Sequence, residues 1–341
     1  MYLKKIYFSI IIPYFKNPLL LDKCLKSIDN QTLDKNYFEV IVIDDFSKTN
    51  LKIINNNFSN KFSNFSIINL TKNNGPGYAR NVGIKKSKGS YLFFVDSDDE
   101  IKSNTLRKLF KVIKKKNVDI VSFNYELRNQ RKISKRMRND IQLMNVNKKL
   151  FIKLFLEMNY NNSVIFSIFK RSLIVKNKIK FVKGYHEDIS FFFISFFYSR
   201  HKIFINDDLY IKNNTKNSII NSFSNKHIIE YLNSWIYVYS FLKTKYNIEY
   251  LERYLSKSFV RGMIGIMAIL IIKIFKFIKN ERLRRKYVNF LISEYRKSYS
   301  KYFKKYNLKY TSRYDIIFKE FSIYINDKNY KIFKEKIIKL L

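Results

Sequence analysis

Residues 91–99 read Tyr91-Leu92-Phe93-Phe94-Val95-Asp96-Ser97-Asp98-Asp99, an apolar strand-like run that ends in three carboxylates within four residues. The chain as a whole holds 66 Lys+Arg against 27 Asp+Glu, so this cluster goes against its composition. Mutual repulsion between the three acids has to be offset. Hard divalent cations such as magnesium and manganese do this with oxygen ligands. An acidic turn capping a helix start is the plainer alternative for the same residues. A strand that releases its polar residues at its end places them at the carboxyl edge of a sheet, where open α/β folds bind ligands.

Working upstream, Ile6 to Ile12 reads as a buried strand closed by Pro13-Tyr14. Leu20, Leu21, Leu25 and Ile28 fall near one face of a helix over residues 19–28. Val40-Ile41-Val42-Ile43 is a second strand and delivers Asp44-Asp45-Phe46-Ser47. Ser66 to Leu70 is a third and leads to Asn73-Asn74-Gly75-Pro76-Gly77, after which Tyr78-Ala79-Arg80-Asn81 starts a helix that stops at Lys88-Gly89. Strands alternating with helices, each strand followed by polar residues, predict a mainly parallel sheet covered by helices. Downstream, Gly184-Tyr185-His186-Glu187-Asp188 opens an apolar run from Ile189, so its two acids also suit a helix N-terminus.

These motifs, in this order and spacing, resemble the family 2 glycosyltransferases of GT-A fold, especially bacterial members that build surface polysaccharide and lipooligosaccharide. The resemblance covers roughly residues 6–220. From about residue 221 the residue pattern itself turns helical and basic, giving a second region over 221–341. The resemblance implies an α/β nucleotide-sugar-binding, Rossmann-like domain over residues 1–220. It also implies an inverting, metal-dependent hexosyltransferase. A nucleotide-sugar donor, most simply a UDP-hexose or UDP-N-acetylhexosamine, would meet a hydroxyl of a lipid-linked or surface glycan. By the same resemblance Asp188 is the general base, a role that needs a carboxylate within hydrogen-bond reach of the acceptor, and Glu187 lies on the acceptor side. Asp98 is the metal ligand, for Mn2+ or Mg2+, and Asp96 contacts the metal or the donor ribose. Asp45 meets the uracil edge, Pro13 and Tyr14 line the base pocket, and Asn74 and Arg80 stand on the nucleotide side. Asp44 and Asp99 are supporting or capping groups. Residues 163–173 resemble the acceptor-side strand and turn. Residues 209–219 resemble the loop that closes over the donor, with Lys212 and Lys216 either solvated or serving as its cation. A metal-dependent nucleotidyltransferase also uses paired carboxylates, but leaves residues 184–188 unexplained.

A net charge of +39 invites a polyanion-binding or nucleic-acid reading. Lys, Asn, Ile, Phe and Tyr crowd the chain while Gly and Pro number 7 and 3, a bias that an AT-rich gene would produce. We therefore expect no nucleic-acid partner, and expect the charge to act at an anionic membrane surface. One cysteine, Cys24, excludes an internal disulfide and reads as a core thiol. His186, His201 and His227 are scattered, with no zinc spacing. Pro13 and Lys16 interrupt a run too short for a signal peptide, which predicts a cytoplasmic protein held peripherally at the inner membrane. Met263 to Ile272 is an uninterrupted apolar run of ten with basic flanks, about half of the roughly 20 residues a spanning helix needs. It is either an interfacial helix or the core helix of a small α-domain. Residues 131–138 read as a solvated basic loop.

Overall fold

Runs of Ile, Val and Phe set four strands: β1 (Phe8–Tyr14), β2 (Phe38–Asp44), β3 (Phe65–Asn69) and β4 (Tyr91–Phe94). The computed structural model describes residues 5–129, 132–136, 146–157, 163–184, 186–214, 224–298 and 313–340. β2 and β4 are buried along their whole length and β1 nearly so, as expected of parallel strands covered on both faces. β3, at the sheet edge, is half exposed. Helix α1 (Pro18–Asp29) starts at Asn17, whose side chain accepts from the Leu20 N–H, and Pro18 takes the first turn, where its missing N–H costs nothing. It buries Leu21, Cys24, Leu25 and Ile28 along one stripe. After α2 (Lys52–Ser59), α3 (Pro76–Lys86) begins at Gly75, whose φ of 86° favours glycine.

The remaining elements of this half are β5 (Glu100–Ile101), α4 (Thr105–Lys115), β6 (Ile120–Asn129), β7 (Lys132–Arg136), β8 (Ser167–Lys170), α6 (Arg171–Lys176), α7 (Glu187–Tyr198) and β9 (Lys202–Asn213), with α5 (Lys148–Leu156) between β7 and β8. Among the described residues nine strands form one sheet, in the order β3-β2-β1-β4-β8-β6-β9-β5, with β7 added to β6. β3, β2, β1 and β4 run parallel, whereas β8 is antiparallel to both β4 and β6. The chain steps outward from β1 to β2 and β3, then crosses back to place β4 on the other side of β1. That reversal is the topological switch point, and the carboxyl ends of β1, β2 and β4 meet there. α7 is buried at Ile189 through Phe197, so it is a core helix rather than an amphipathic one.

The chain divides into two compact units, 1–146 with 160–215, and 147–159 with 216–341. The sequence reading ran its first domain straight through α5, which instead clusters with the second unit. That unit is helical: α8 (Asn225–Lys243), α9 (Ser256–Phe277), α10 (Glu281–Ser298), α11 (Arg313–Asp327) and α12 (Tyr330–Leu340). Residues 253–277 are long and apolar enough to cross a bilayer, yet 72% of their most apolar window is buried. Ile264 and Ile271, inside the run of ten, are 1% and 0% exposed. Gly262 lies directly against the Leu156 carbonyl oxygen of α5, closer than any Cβ would permit. The run is therefore packed as core within its unit, the second of the two uses its sequence allowed.

Candidate active site

The turn after β2 is built by two aspartates. Asp44 accepts from the Ser47 N–H at 2.9 Å, and Phe46 takes a left-handed φ of 60°. Asp45 is 3% exposed, and its two carboxylate oxygens accept the N–H groups of Asn74 (2.8 Å) and Gly75 (2.7 Å). Burial raises its pKa, and these two N–H groups oppose the rise. Asp45 thus joins the β2 turn to the start of α3, a role its sequence position did not reveal. Its own N–H donates to the Tyr14 carbonyl at 2.9 Å, which brings β1 into the same corner. Pro13 is half-buried and lies past the last β1–β4 register pair, Ile11 with Phe94. Tyr14 is buried with its hydroxyl near Ser47 and Thr49 but without a well-aligned hydrogen bond.

Arg80, expected on the nucleotide side, is 5% exposed and lies at the centre of a charge network. Its Nη2 donates to Asp96 Oδ1 at 2.7 Å, its Nη1 donates to Glu187 Oε1, and its guanidinium lies 5.4 Å from the Phe181 ring centre. Burial opposes its charge, but Asp96, Glu187 and Asp188 outweigh that and hold it protonated. Gly77 makes the arrangement possible: a Cβ there would stand 2.7 Å from Glu187 Cγ. Glu187, 6% exposed, therefore has one oxygen committed to Arg80 rather than to an acceptor. Asp188, beside it in the first turn of α7, is half-buried. Loss of water, then the Glu187 charge, push its carboxyl up to about 7, with Arg80 opposing. His186 before it takes a left-handed φ of 61°, and Tyr185 lies outside the described residues.

The acidic run follows β4. Ligand oxygens of Asp96, Asp98 and Asp99 all lie within 4.8 Å of one another, and this all-oxygen set suits a hard divalent cation. Asp99 is 1% exposed, accepting from the Tyr210 hydroxyl at 2.8 Å and from the Asn213 N–H at 2.8 Å, with Lys212 Nζ at 3.6 Å. Burial lifts its carboxyl to about 7, against the pull of Lys212. With both Asp99 oxygens engaged, Asp98 and Asp96 are the better candidates to hold the ion. Three sequence expectations need correction. Leu209–Asn213 is the end of strand β9, paired to β6, not part of a closing loop. Lys212 is not a free surface lysine: its side chain is only partly exposed and its ammonium lies 3.6 Å from Asp99 Oδ2, whose charge favours the protonated form. Lys216 and residues 131, 137 and 138 of the expected basic loop lie outside the described residues, and 132–136 form strand β7 on β6 rather than a loop. Cys24 is buried as expected, and its thiol also donates to the Asp96 carbonyl at 3.7 Å.

Residues 9–176 match the family described as Glycosyl transferase family 2. That segment is a domain of this family. Among its relatives is the poly(ribitol-phosphate) beta-glucosyltransferase of Bacillus spizizenii, 35% identical over 178 residues, or 51% of this chain and 26% of that protein. Poly(ribitol-phosphate) beta-N-acetylglucosaminyltransferase TarP of Staphylococcus aureus is 33% identical over 181 residues, 51% of each chain. The chain thus spans between about a quarter and about half of these relatives. S. aureus TarS, solved in complex with UDP-GlcNAc, superposes with a TM-score of 0.56 at 20% identity, over 94% of this chain and 81% of that one. That likeness is one of fold: a GT-A mixed α/β sheet followed by a helical C-terminal region. β9 and α7, which supply Tyr210, Asn213, Glu187 and Asp188, lie beyond the matched segment.

Proposed function

We propose that this protein is an inverting, metal-dependent glycosyltransferase that moves a hexose or N-acetylhexosamine from a UDP-sugar to a hydroxyl of a lipid-linked or surface glycan. The observation that carries the reading is the place of Asp188, in the first turn of α7 beside the Glu187–Arg80–Asp96 chain, where loss of water and the Glu187 charge push its carboxyl up to about 7. A base with that pKa accepts a proton efficiently near neutrality. In a single displacement Asp188 takes the acceptor hydroxyl proton as the oxygen attacks the anomeric carbon, and an α-linked donor yields a β-glycoside. Arg80 holds the helix of the base and the aspartate after β4 in fixed relation. Asp98 and Asp96 would hold Mn2+ or Mg2+, which when bound supplies positive charge to the diphosphate leaving group. Pro13, Tyr14 and the Asp45–Asn74 corner would receive the nucleoside.

The relatives' beta-linked products support inversion, and the UDP-GlcNAc complex of the fold neighbour supports the donor class. Their poly(ribitol-phosphate) acceptors make a phosphate-rich glycan a natural partner for a chain of net charge +39. The same charge would hold the protein at the cytoplasmic face of an anionic membrane, with nucleic acid playing no part. The deciding experiment screens UDP-sugars against glycan and polyol-phosphate acceptors with Mn2+, and assigns the product anomer by NMR. We expect a β-glycoside, and no transfer in excess EDTA. A product that retains the donor configuration refutes the single displacement, and full activity in EDTA refutes the metal assignment.

A further inference from the structure

We propose that Tyr210 and Asn213, at the end of β9, are positioning residues that hold the acidic turn of residues 96–99 ready for its cation. The inference rests on the metal reading of that turn. Two residues of one strand reach all three members of the carboxylate group. The Tyr210 hydroxyl accepts from the Asp96 N–H at 3.1 Å and donates to Asp99 Oδ2 at 2.8 Å. The Asn213 N–H donates to Asp99 Oδ1 at 2.8 Å, while its side-chain amide donates to the Asp98 carbonyl at 2.8 Å and to Glu100 Oε1 at 3.3 Å. The contacts to Asp96 and Asp98 are made to the main chain, so they fix where these residues stand without using their carboxylates.

Three carboxylates within 4.8 Å repel one another before any ion arrives. A turn free to move would relieve that repulsion by opening and would have to be closed again on binding. The β9 hydrogen bonds impose the closed arrangement in advance, and Lys212, 3.6 Å from Asp99, offsets one charge from the same strand. A tyrosine suits the position because a phenol donates and accepts at once, as its two bonds require. Its ring is anchored independently, edge-on to Phe166 at 5.3 Å, so loss of the oxygen alone leaves the packing in place. Groups that orient metal ligands typically contribute about 10–100-fold to metal affinity.

The test is direct Mn2+ binding to the full chain without donor, by electron paramagnetic resonance or calorimetry, for wild type, Tyr210→Phe and Asn213→Ser. Melting temperature and circular dichroism are followed alongside. Tyr210→Phe should weaken Mn2+ binding about tenfold. In turnover it should raise the half-saturating Mn2+ concentration by a similar factor, while kcat at saturating Mn2+ stays within about threefold of wild type. Asn213→Ser keeps the main-chain bond to Asp99 and decides the matter if Tyr210→Phe does not fold. Folded variants that bind Mn2+ within twofold of wild type, with only their melting temperatures lowered, overturn the positioning role and leave the metal reading intact. A wild-type protein that binds neither Mn2+ nor Mg2+ overturns both.

Discussion

The carboxyl rim of the sheet and the C-terminal helices spend the same amino-acid alphabet in opposite ways. At the rim, Asp45, Arg80, Asp99 and Glu187 are all under 7% exposed, and each is bonded to a partner distant in sequence. In the helical unit the buried positions are mostly apolar, Trp235, Ile264, Met267 and Ile271 among them, while Arg282, Arg285 and Lys286 lie outside. The buried polar ones among the described residues are His227, Ser234, Ser256 and Ser258, rather than Asp, Glu, Lys or Arg. A basic composition therefore says little about chemistry, because most of it coats surfaces. Buried charge is the informative part, since each such group must be compensated by geometry.

The sharpest way to break the comparison is Asp188→Asn. It should lower kcat by about 10²–10⁴ while UDP-sugar affinity, measured by calorimetry, stays within a few-fold. Normal turnover would show that the rim's buried charge is structural only. Arg80→Met comes next: it strands Glu187 and Asp96 without their cation and should cost about 3–5 kcal/mol in urea unfolding of the full chain. Gly262→Ala probes the other region, where a Cβ would strike the Leu156 carbonyl; overpacking of this kind should cost about 1–3 kcal/mol by the same measurement. If it costs nothing, the helical unit is more loosely packed than described.

A pH profile sharpens the contrast further. The base must be unprotonated to act, and Asp188 is raised to about 7, so kcat/KM should fall as pH drops through that value and level off above it. Asp188→Asn should flatten this limb. The smallest expected effect belongs to the outer charges. Arg282→Gln with Lys286→Gln should shift stability by about 0.5 kcal/mol or less, yet should weaken co-sedimentation with anionic vesicles if the helices meet a membrane. Unchanged sedimentation would move that role elsewhere or remove it.

The first four strands and their polar exits were legible because each is a local pattern: an apolar run, then Pro13, Asp45, Gly75 or Asp96. What sequence did not show is pairing across distance. Nothing near Arg80 announces Glu187, 107 residues away, and Asp99 meets Tyr210 across 111. Residues 209–213 resemble a closing loop only by their place in the family pattern, whereas their pairing with β6 is a tertiary decision. The pairing of Lys212 with Asp99 is equally tertiary. The apolar run of α9 was ambiguous in principle, since hydropathy cannot distinguish lipid from protein as its surroundings.

The bond from Asn213 to Asp99 also sets an order of events during synthesis. Asp99 emerges from the ribosome 114 residues ahead of the N–H that completes it. At about 5–20 residues per second the nascent chain spends on the order of ten seconds with that turn unfinished. Through that interval β1 to β4 can assemble, but the acidic turn cannot be buried without leaving a carboxylate unpaired. The acidic turn is thus among the last parts of the sheet to be completed, and a chain cut short before β9 would carry Asp96, Asp98 and Asp99 and yet be unable to set them.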